Sequence, residues 1–218
     1  MAEALRDPPI IDPPIRLAVC VSGEGTTLQN LIQRIRSRRL KAEVVQVVAS
    51  RPRIGAIARA EAAGIPLALA NYHARSRTEF SASVFAAIRD SKSDLVILGG
   101  FLSLLTIPPE YKGRVINVHP SLIPAFCGKG YFGSTVHEAV LKSGVKLSGC
   151  TVHFVDETYD NGPIILQRAV PVLDDDTVET LGARVFKEEC KALPEAIALY
   201  AEGLLEIEGR RVRVGLSV

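Results

Sequence analysis

The sequence predicts a single α/β domain with a mostly parallel sheet, helices on both faces and an antiparallel edge. Three observations carry that expectation. Short apolar runs alternate with helical periodicity through the first half of the chain, the pattern of strand–helix–strand units. Two further apolar runs, 147–155 and 163–172, are joined by a loop of hairpin length. The chain has 218 residues, 47% of them hydrophobic and 23% charged, which is enough for one sizeable core.

Taken in order, residues 1–15 (MAEALRDPPIIDPPI) carry paired prolines and suggest an extended, partly disordered leader. They lack the basic and long apolar regions of a secretion signal. The domain is expected over 16–218. Residues 16–22 (RLAVCVS) are Val-rich and short, as in a buried parallel strand. A glycine turn, SGEGTT, leads into LQNLIQRIRSRR, whose Leu28, Leu31, Ile32 and Ile35 form a helical stripe. A strand follows at 44–50, then a helix from Ile54 to Ala63 ended by Gly64 and Pro66. A short strand near 67–70, a helix from Thr78 to Ile88 and a strand at 95–100 complete the alternating half.

In the second half, INVHP reads as a short strand running into a turn at Pro120. The pair 147–155 and 163–172 comes next. A long helix starts at a cap on Asp176 or Thr177, and Pro194 is expected to break or kink it. The tail LEIEGRRVRV alternates around a Gly-Arg turn, as in a small hairpin.

Net charge is +2, so the balance of charge points to neither nucleic acid nor a membrane surface. Nothing approaches the roughly 18 consecutive apolar residues of a membrane-spanning helix. Cys20, Cys127, Cys150 and Cys190 form no Cys-x-x-Cys pair and match no zinc spacing. They read as thiols in a reducing cytoplasm. The histidines at 119, 137 and 153 lack metal-ligand spacing, so no metal is expected.

Three segments carry candidate chemistry. Gly23-Glu24-Gly25-Thr26-Thr27 joins a strand to a helix, where backbone N–H groups make an anion site. The dinucleotide fingerprint fails at its third glycine, where Leu28 stands. A phosphate site, a bare turn and an NADP site (Arg51 follows the second strand) all stay open. Asn117 and His119 lie two apart at a strand end and so share one side of it. An amide and an imidazole side by side can hold an oxyanion and move a proton. They can equally satisfy loop backbone groups. Asp160 lies in Asp-Asn-Gly-Pro turn chemistry, with Asp156 and Glu157 in the same loop. It can bond its own turn, or stand beside His119 and raise its pKa.

Together these segments resemble the phosphoribosylglycinamide formyltransferase family, within the folate-dependent formyltransferases. The resemblance rests on VSGEGTTLQNLI, DLVILGGFLSLL, RVINVHPSLIPAFCGKG, GCTVHFVDETYDNGPIILQ and ARVFKEECKALP, in family order over about residues 16–205. It implies a Rossmann-like formyltransferase fold and transfer of a formyl group from 10-formyltetrahydrofolate to glycinamide ribonucleotide. Both are small-molecule substrates; the folate is a co-substrate and no tightly bound cofactor is implied. The resemblance makes Asn117, His119 and Asp160 catalytic. It places Gly25, Thr26, Thr27 and Glu189 on the ribonucleotide. It places Arg77, Leu102, Ser103, Leu104, Leu105, Asn117, Asp156, Glu157 and Asp160 on the folate.

There are departures. Thr27 replaces an asparagine common in the phosphate turn, and Asn161 a frequent second glycine. Phe186 stands where some members put a basic or polar contact, beside Lys187. The AFCGKGYFG loop differs from a KYPG type and is expected to alter the pocket rim. The expected setting is cytoplasmic, as monomer or homodimer, without nucleic acid or membrane. Rival readings are a formyltetrahydrofolate deformylase, a methionyl-tRNA formyltransferase and an NADP-binding α/β protein. The first two are disfavoured by the few residues before the first strand and after the last helix.

Overall fold

The computed structural model describes residues 13–70 and 76–215. The leader expected over 1–15 lies, as far as residue 12, outside the described residues. The chain runs β1 (Ile15–Val21), α1 (Thr26–Arg36), β2 (Ala42–Ala49), α2 (Gly55–Ala62), β3 (Leu67–Leu69), α3 (Arg77–Asp90) and β4 (Leu95–Leu98). It continues through β5 (Val115–His119), α4 (Ser134–Ser143), β6 (Leu147–Phe154), β7 (Ile164–Pro171), α5 (Val178–Ala201), β8 (Leu205–Glu208) and β9 (Arg211–Val214).

One sheet runs in the order β3-β2-β1-β4-β5-β6-β7-β9-β8. The pairs from β3 through β5 are parallel, and β6 and β7 add antiparallel strands. This is the α/β class with an antiparallel region that the alternation predicts. The order reverses between β1 and β4, so the loops after those strands diverge and leave a crevice at their carboxyl ends. The terminal hairpin forms, and it does more than close on itself. β9 pairs in parallel with β7 at Ile164 and Arg211, which extends the main sheet.

Strand alternation sorts β1 into two cores. Leu17, Val19 and Val21 face the layer holding α1, α2, α4 and α5, while Ala18 and Cys20 face the layer holding α3. Burial on both faces explains why β1 reads as a continuous apolar run. Ser76 and Glu79 form a reciprocal cap on α3, which therefore starts before the Thr78 expected from its apolar periodicity. Thr177 caps α5 with Thr180 in the same way.

One expectation fails in part, and one element is new. Pro194 neither breaks nor ends α5, which continues to Ala201. A proline there strips the Cys190 carbonyl of its helical donor. The Asn30 amide (3.2 Å) and the Arg34 guanidinium (3.0 Å), both on α1, donate to that carbonyl instead. The new element is α4, which no strong apolar periodicity marks. Val136, His137 and Val140 form its buried face, and Gly144 ends it at φ 73°.

Candidate active site

β5 delivers the site. It ends at His119, and Pro120 stops it there. Asn117 and His119 share a face, as the alternation requires, with Asn117 opposite His153 and His119 opposite Thr151 on β6. The Thr151 hydroxyl donates to the Ser121 carbonyl at 2.7 Å and accepts from the Ile123 N–H at 3.1 Å. The turn after His119 is thereby pinned to β6.

Asp160 reaches this face from the β6–β7 loop. Its backbone is left-handed at φ 50°, a conformation unusual for a residue with a Cβ. Asp160 Oδ2 accepts the Gly128 N–H at 2.9 Å and lies 3.5 Å from His119 Nδ1. Asp160 Oδ1 accepts from Asn117 Nδ2 at 3.3 Å. Bonding within the loop falls to Asp156 instead: it accepts the Thr158 N–H and the Asn161 amide, each at 2.8 Å. Asp160 is thus free for the cluster, and the three residues expected to be catalytic meet.

His119 also satisfies a loop group, its Nε2 lying 2.9 Å from the Phe126 carbonyl. That oxygen can only accept, so Nε2 carries a hydrogen. Burial holds the His119 pKa below its ordinary value, outweighing the upward pull of Asp160 and of the Phe126 carbonyl. The expectation that Asp160 raises this pKa is right about the direction of that one influence. The net result is nonetheless a lowering, because only 5% of the side chain is exposed and charging it forfeits hydration. Burial also works against ionisation of Asp160. There the His153 and His119 imidazoles and the Gly128 N–H prevail, holding the carboxyl below its usual range.

A cavity of about 380 Å³ opens over Asn117, His119 and Asp160, with Leu102, Lys129 and Tyr131 at its walls. A small recess of about 40 Å³ also borders Asn117 and Asp160, lined by Ser103, Leu104, Leu105 and His153. Arg77 ties the two loops around this recess. Its guanidinium donates to the Leu105 carbonyl at 2.7 Å and the Glu157 carbonyl at 3.1 Å. Asp156 and Glu157 line a separate groove, beside Ile107 and Ile207.

The glycine turn lies after β1. Gly25 sits at φ 72°, and a Cβ there would come within 2.7 Å of Ala56, so both space and backbone call for glycine. No side chain caps α1, which leaves its first-turn N–H groups available. The turn adjoins the segment after β4, since the Leu102 N–H donates to Ser22 Oγ at 3.1 Å. Gly25, Thr26, Thr27 and Glu189 line neither the cavity nor the recess. Desolvation pushes the Glu189 carboxyl up to about 7. Among the described residues, no group of three His, Cys, Asp or Glu side chains could hold a metal ion.

A family model described as formyl transferase matches residues 15–197. The chain belongs to the formyl transferase family. Among curated relatives, it is 40% identical over 196 residues to the trifunctional purine biosynthetic protein adenosine-3 of Gallus gallus. That alignment covers 88% of this chain and 19% of the relative, so the chain spans about a fifth of that protein's length. It is 38% identical over 190 residues to the chloroplastic phosphoribosylglycinamide formyltransferase of Vigna unguiculata, covering 86% of this chain and 61% of that one. The solved glycinamide ribonucleotide transformylase 1 of Symbiobacterium toebii superposes with a TM-score of 0.85 at 42% identity. There 94% of this chain and 95% of the other are covered.

Within this formyl transferase fold, two site features escaped the sequence reading. His153 looked like one more alternating strand residue, yet its side chain is 2% exposed and touches Asn117. Its signal was its parity on β6, visible only once the β5–β6 register is known. The Phe126 carbonyl is backbone, and no side-chain pattern could have flagged it.

Proposed function

We propose that this chain transfers a formyl group from 10-formyltetrahydrofolate to the amine of glycinamide ribonucleotide, a step of purine biosynthesis. The observation that carries the proposal is the meeting of Asn117, His119 and Asp160 beneath one cavity at the end of β5. The amine nitrogen forms a bond to the formyl carbon, and a tetrahedral oxyanion results. An amide N–H of Asn117 stabilises that charge. His119 starts neutral, with its hydrogen on Nε2. Its Nδ1, facing Asp160, takes up the proton the amine sheds, and the carboxylate stabilises the imidazolium formed. That proton passes to the departing folate nitrogen as its bond to the formyl carbon breaks. Gly25–Thr27 hold the phosphate at the α1 N-terminus, and Glu189 meets the ribonucleotide. The segment Leu102–Leu105, Arg77 and the loop Asp156–Asp160 frame the folate.

The reaction needs no covalent enzyme intermediate. A reducing cytoplasm suits the thiols, since burial pushes Cys20 and Cys150 up to about 12 and leaves them unreactive.

The deciding experiment supplies 10-formyl folate with and without glycinamide ribonucleotide and follows release of the deformylated folate. Release only with the ribonucleotide is expected. Equal release without it identifies a deformylase. Asn117→Ala and His119→Ala should each lower turnover by on the order of a hundredfold. Near-normal turnover in both, with native circular dichroism, overturns the assignment.

A further inference from the structure

We propose that Arg59 is the positioning residue of the glycine turn, holding the Glu24–Gly25 peptide so that the Gly25 N–H faces outward as an anion donor. Its kinetic consequence rests on the formyl-transfer reading, in which this turn holds the substrate phosphate.

Arg59 reaches from α2 to the turn. Its Nε donates to the Glu24 carbonyl at 2.7 Å, and its Nη1 donates to the Gln29 side-chain oxygen at 3.2 Å. Gln29 belongs to the first turn of α1, where its N–H bonds the Gly25 carbonyl at 2.9 Å. The guanidinium therefore braces the turn against the start of α1. The Ala56 N–H, also on α2, donates to the Gly23 carbonyl at 3.2 Å. α2 thus grips two successive carbonyls of the turn.

Both peptides are trans. In a planar trans peptide the C=O and N–H point in opposite directions. Carbonyls held toward α2 leave the N–H groups of Glu24 and Gly25 facing away from it. Those groups run on into the uncapped start of α1. Among the described residues, no protein acceptor meets the N–H of Gly25, Thr26 or Thr27. Successive free N–H groups of this kind make a nest for an anion.

Glycine is what makes the hold necessary. Gly25 lacks a Cβ, so the peptide before it can turn over at little steric cost. Turned over, it would present the Glu24 carbonyl oxygen to an incoming phosphate, acceptor against acceptor. The charge-assisted bond from Arg59 removes that alternative. A lysine ammonium lacks the planar fork that spans both acceptors. Both acceptors are neutral, so the guanidinium charge is not cancelled and adds to the positive field at the turn. Close packing allows the reach: a Cβ at Gly55 would collide with the Glu24 carboxylate, and the Arg59 stem passes 3.4 Å from where a Gly25 Cβ would stand.

The test has two arms on the full chain. Residual dipolar couplings of isotope-labelled protein without substrate report the direction of each backbone N–H. In Arg59→Met, or Arg59→Gln where the first does not fold, the Gly25 coupling should change while those of Leu28–Arg36 stay as in the parent. An unchanged Gly25 coupling overturns the proposal, as does a change spread through the whole of α1. In the second arm, inorganic phosphate is titrated while the amide resonances of Gly25, Thr26 and Thr27 are followed. Saturable shifts are expected in the parent, with affinity about tenfold weaker in the variant, the scale of one lost charge-assisted hydrogen bond. KM for the ribonucleotide should rise about as much, with KM for the folate and kcat within about twofold. Equal phosphate affinity in parent and variant, or an unchanged KM for the ribonucleotide, overturns the role. Parent amides that ignore phosphate defeat the phosphate reading instead, and the dipolar couplings still decide whether Arg59 sets the peptide.

Discussion

Asp160 keeps a left-handed backbone at φ 50°, which costs about 1–2 kcal/mol for a residue bearing a Cβ. The Gly128 N–H and the Asn117 amide, each bonded to one of its carboxylate oxygens, hold it there. Strain persists where several partners over-determine a conformation, and here it aims a carboxylate at a histidine. Glu189 is another carboxyl whose chemistry its surroundings reset. With its pKa pushed up to about 7, it is largely protonated at pH 6 and ionised at pH 8. If its carboxylate accepts hydrogen bonds from the acceptor substrate, KM for that substrate should fall as pH rises through 7. Glu189→Gln should flatten this dependence while leaving KM for the folate unchanged. Initial-rate measurements from pH 6 to 8 on both proteins decide the matter; an unchanged slope in the variant removes Glu189 from the site. Asn117, His119 and Asp160 were all readable as residues. Their protonation was not, since desolvation depends on neighbours that the order of residues does not specify.

At the scale of elements, α5 shows how a local rule is overridden by a distant partner. Pro194 would ordinarily interrupt a helix, yet the carbonyl it orphans receives two donors from α1. Asn30 and Arg34 are four apart and so share a face of α1, which sets both toward α5. Replacing both by Ala leaves the Cys190 carbonyl without a protein donor and should cost about 1–3 kcal/mol. Denaturant unfolding should show a lower midpoint for the double variant, with each single variant losing less because the other donor remains. A double variant as stable as the parent would mean that water replaces both donors at no cost. The helix α4 carries little local signal. Its polar start follows a glycine-rich loop, and its buried face is only three residues. Strands announced themselves more clearly, because those buried on both faces must be apolar throughout.

For the whole molecule, both sheet faces are covered and three histidines, His119, His137 and His153, are buried. His137 on α4 packs against Gly182 of α5, and its Nδ1 has no hydrogen-bond partner. Burial lowers its pKa, with a further push from His119, and burial likewise lowers that of His119. A histidine whose folded pKa lies below its unfolded value takes up a proton on unfolding in acid. Its contribution to stability is complete above the unfolded pKa of about 6.5 and is lost as pH falls through the depressed value. Stability should therefore drop between pH 7 and pH 5, before the carboxylates titrate. His137→Gln should reduce that drop, measured as the difference in urea midpoint between the two pH values. An equal drop in the variant would place the acid sensitivity elsewhere.

The sequence by itself determined the fold class, the first strand and its glycine turn, the antiparallel pair and the side-by-side placement of Asn117 and His119. Each of these follows from local rules: periodicity sets the strands, turn chemistry ends them, and strand parity puts Asn117 beside His119. Only the tertiary structure decided that Asp160 turns away from its own loop, that burial outweighs its pull on His119, and that His153 completes the cluster. It also decided that Pro194 is tolerated and that the terminal hairpin joins the main sheet. These outcomes depend on groups dozens of residues apart meeting at hydrogen-bond distance, in surroundings where the cost of desolvation sets which charge or donor survives.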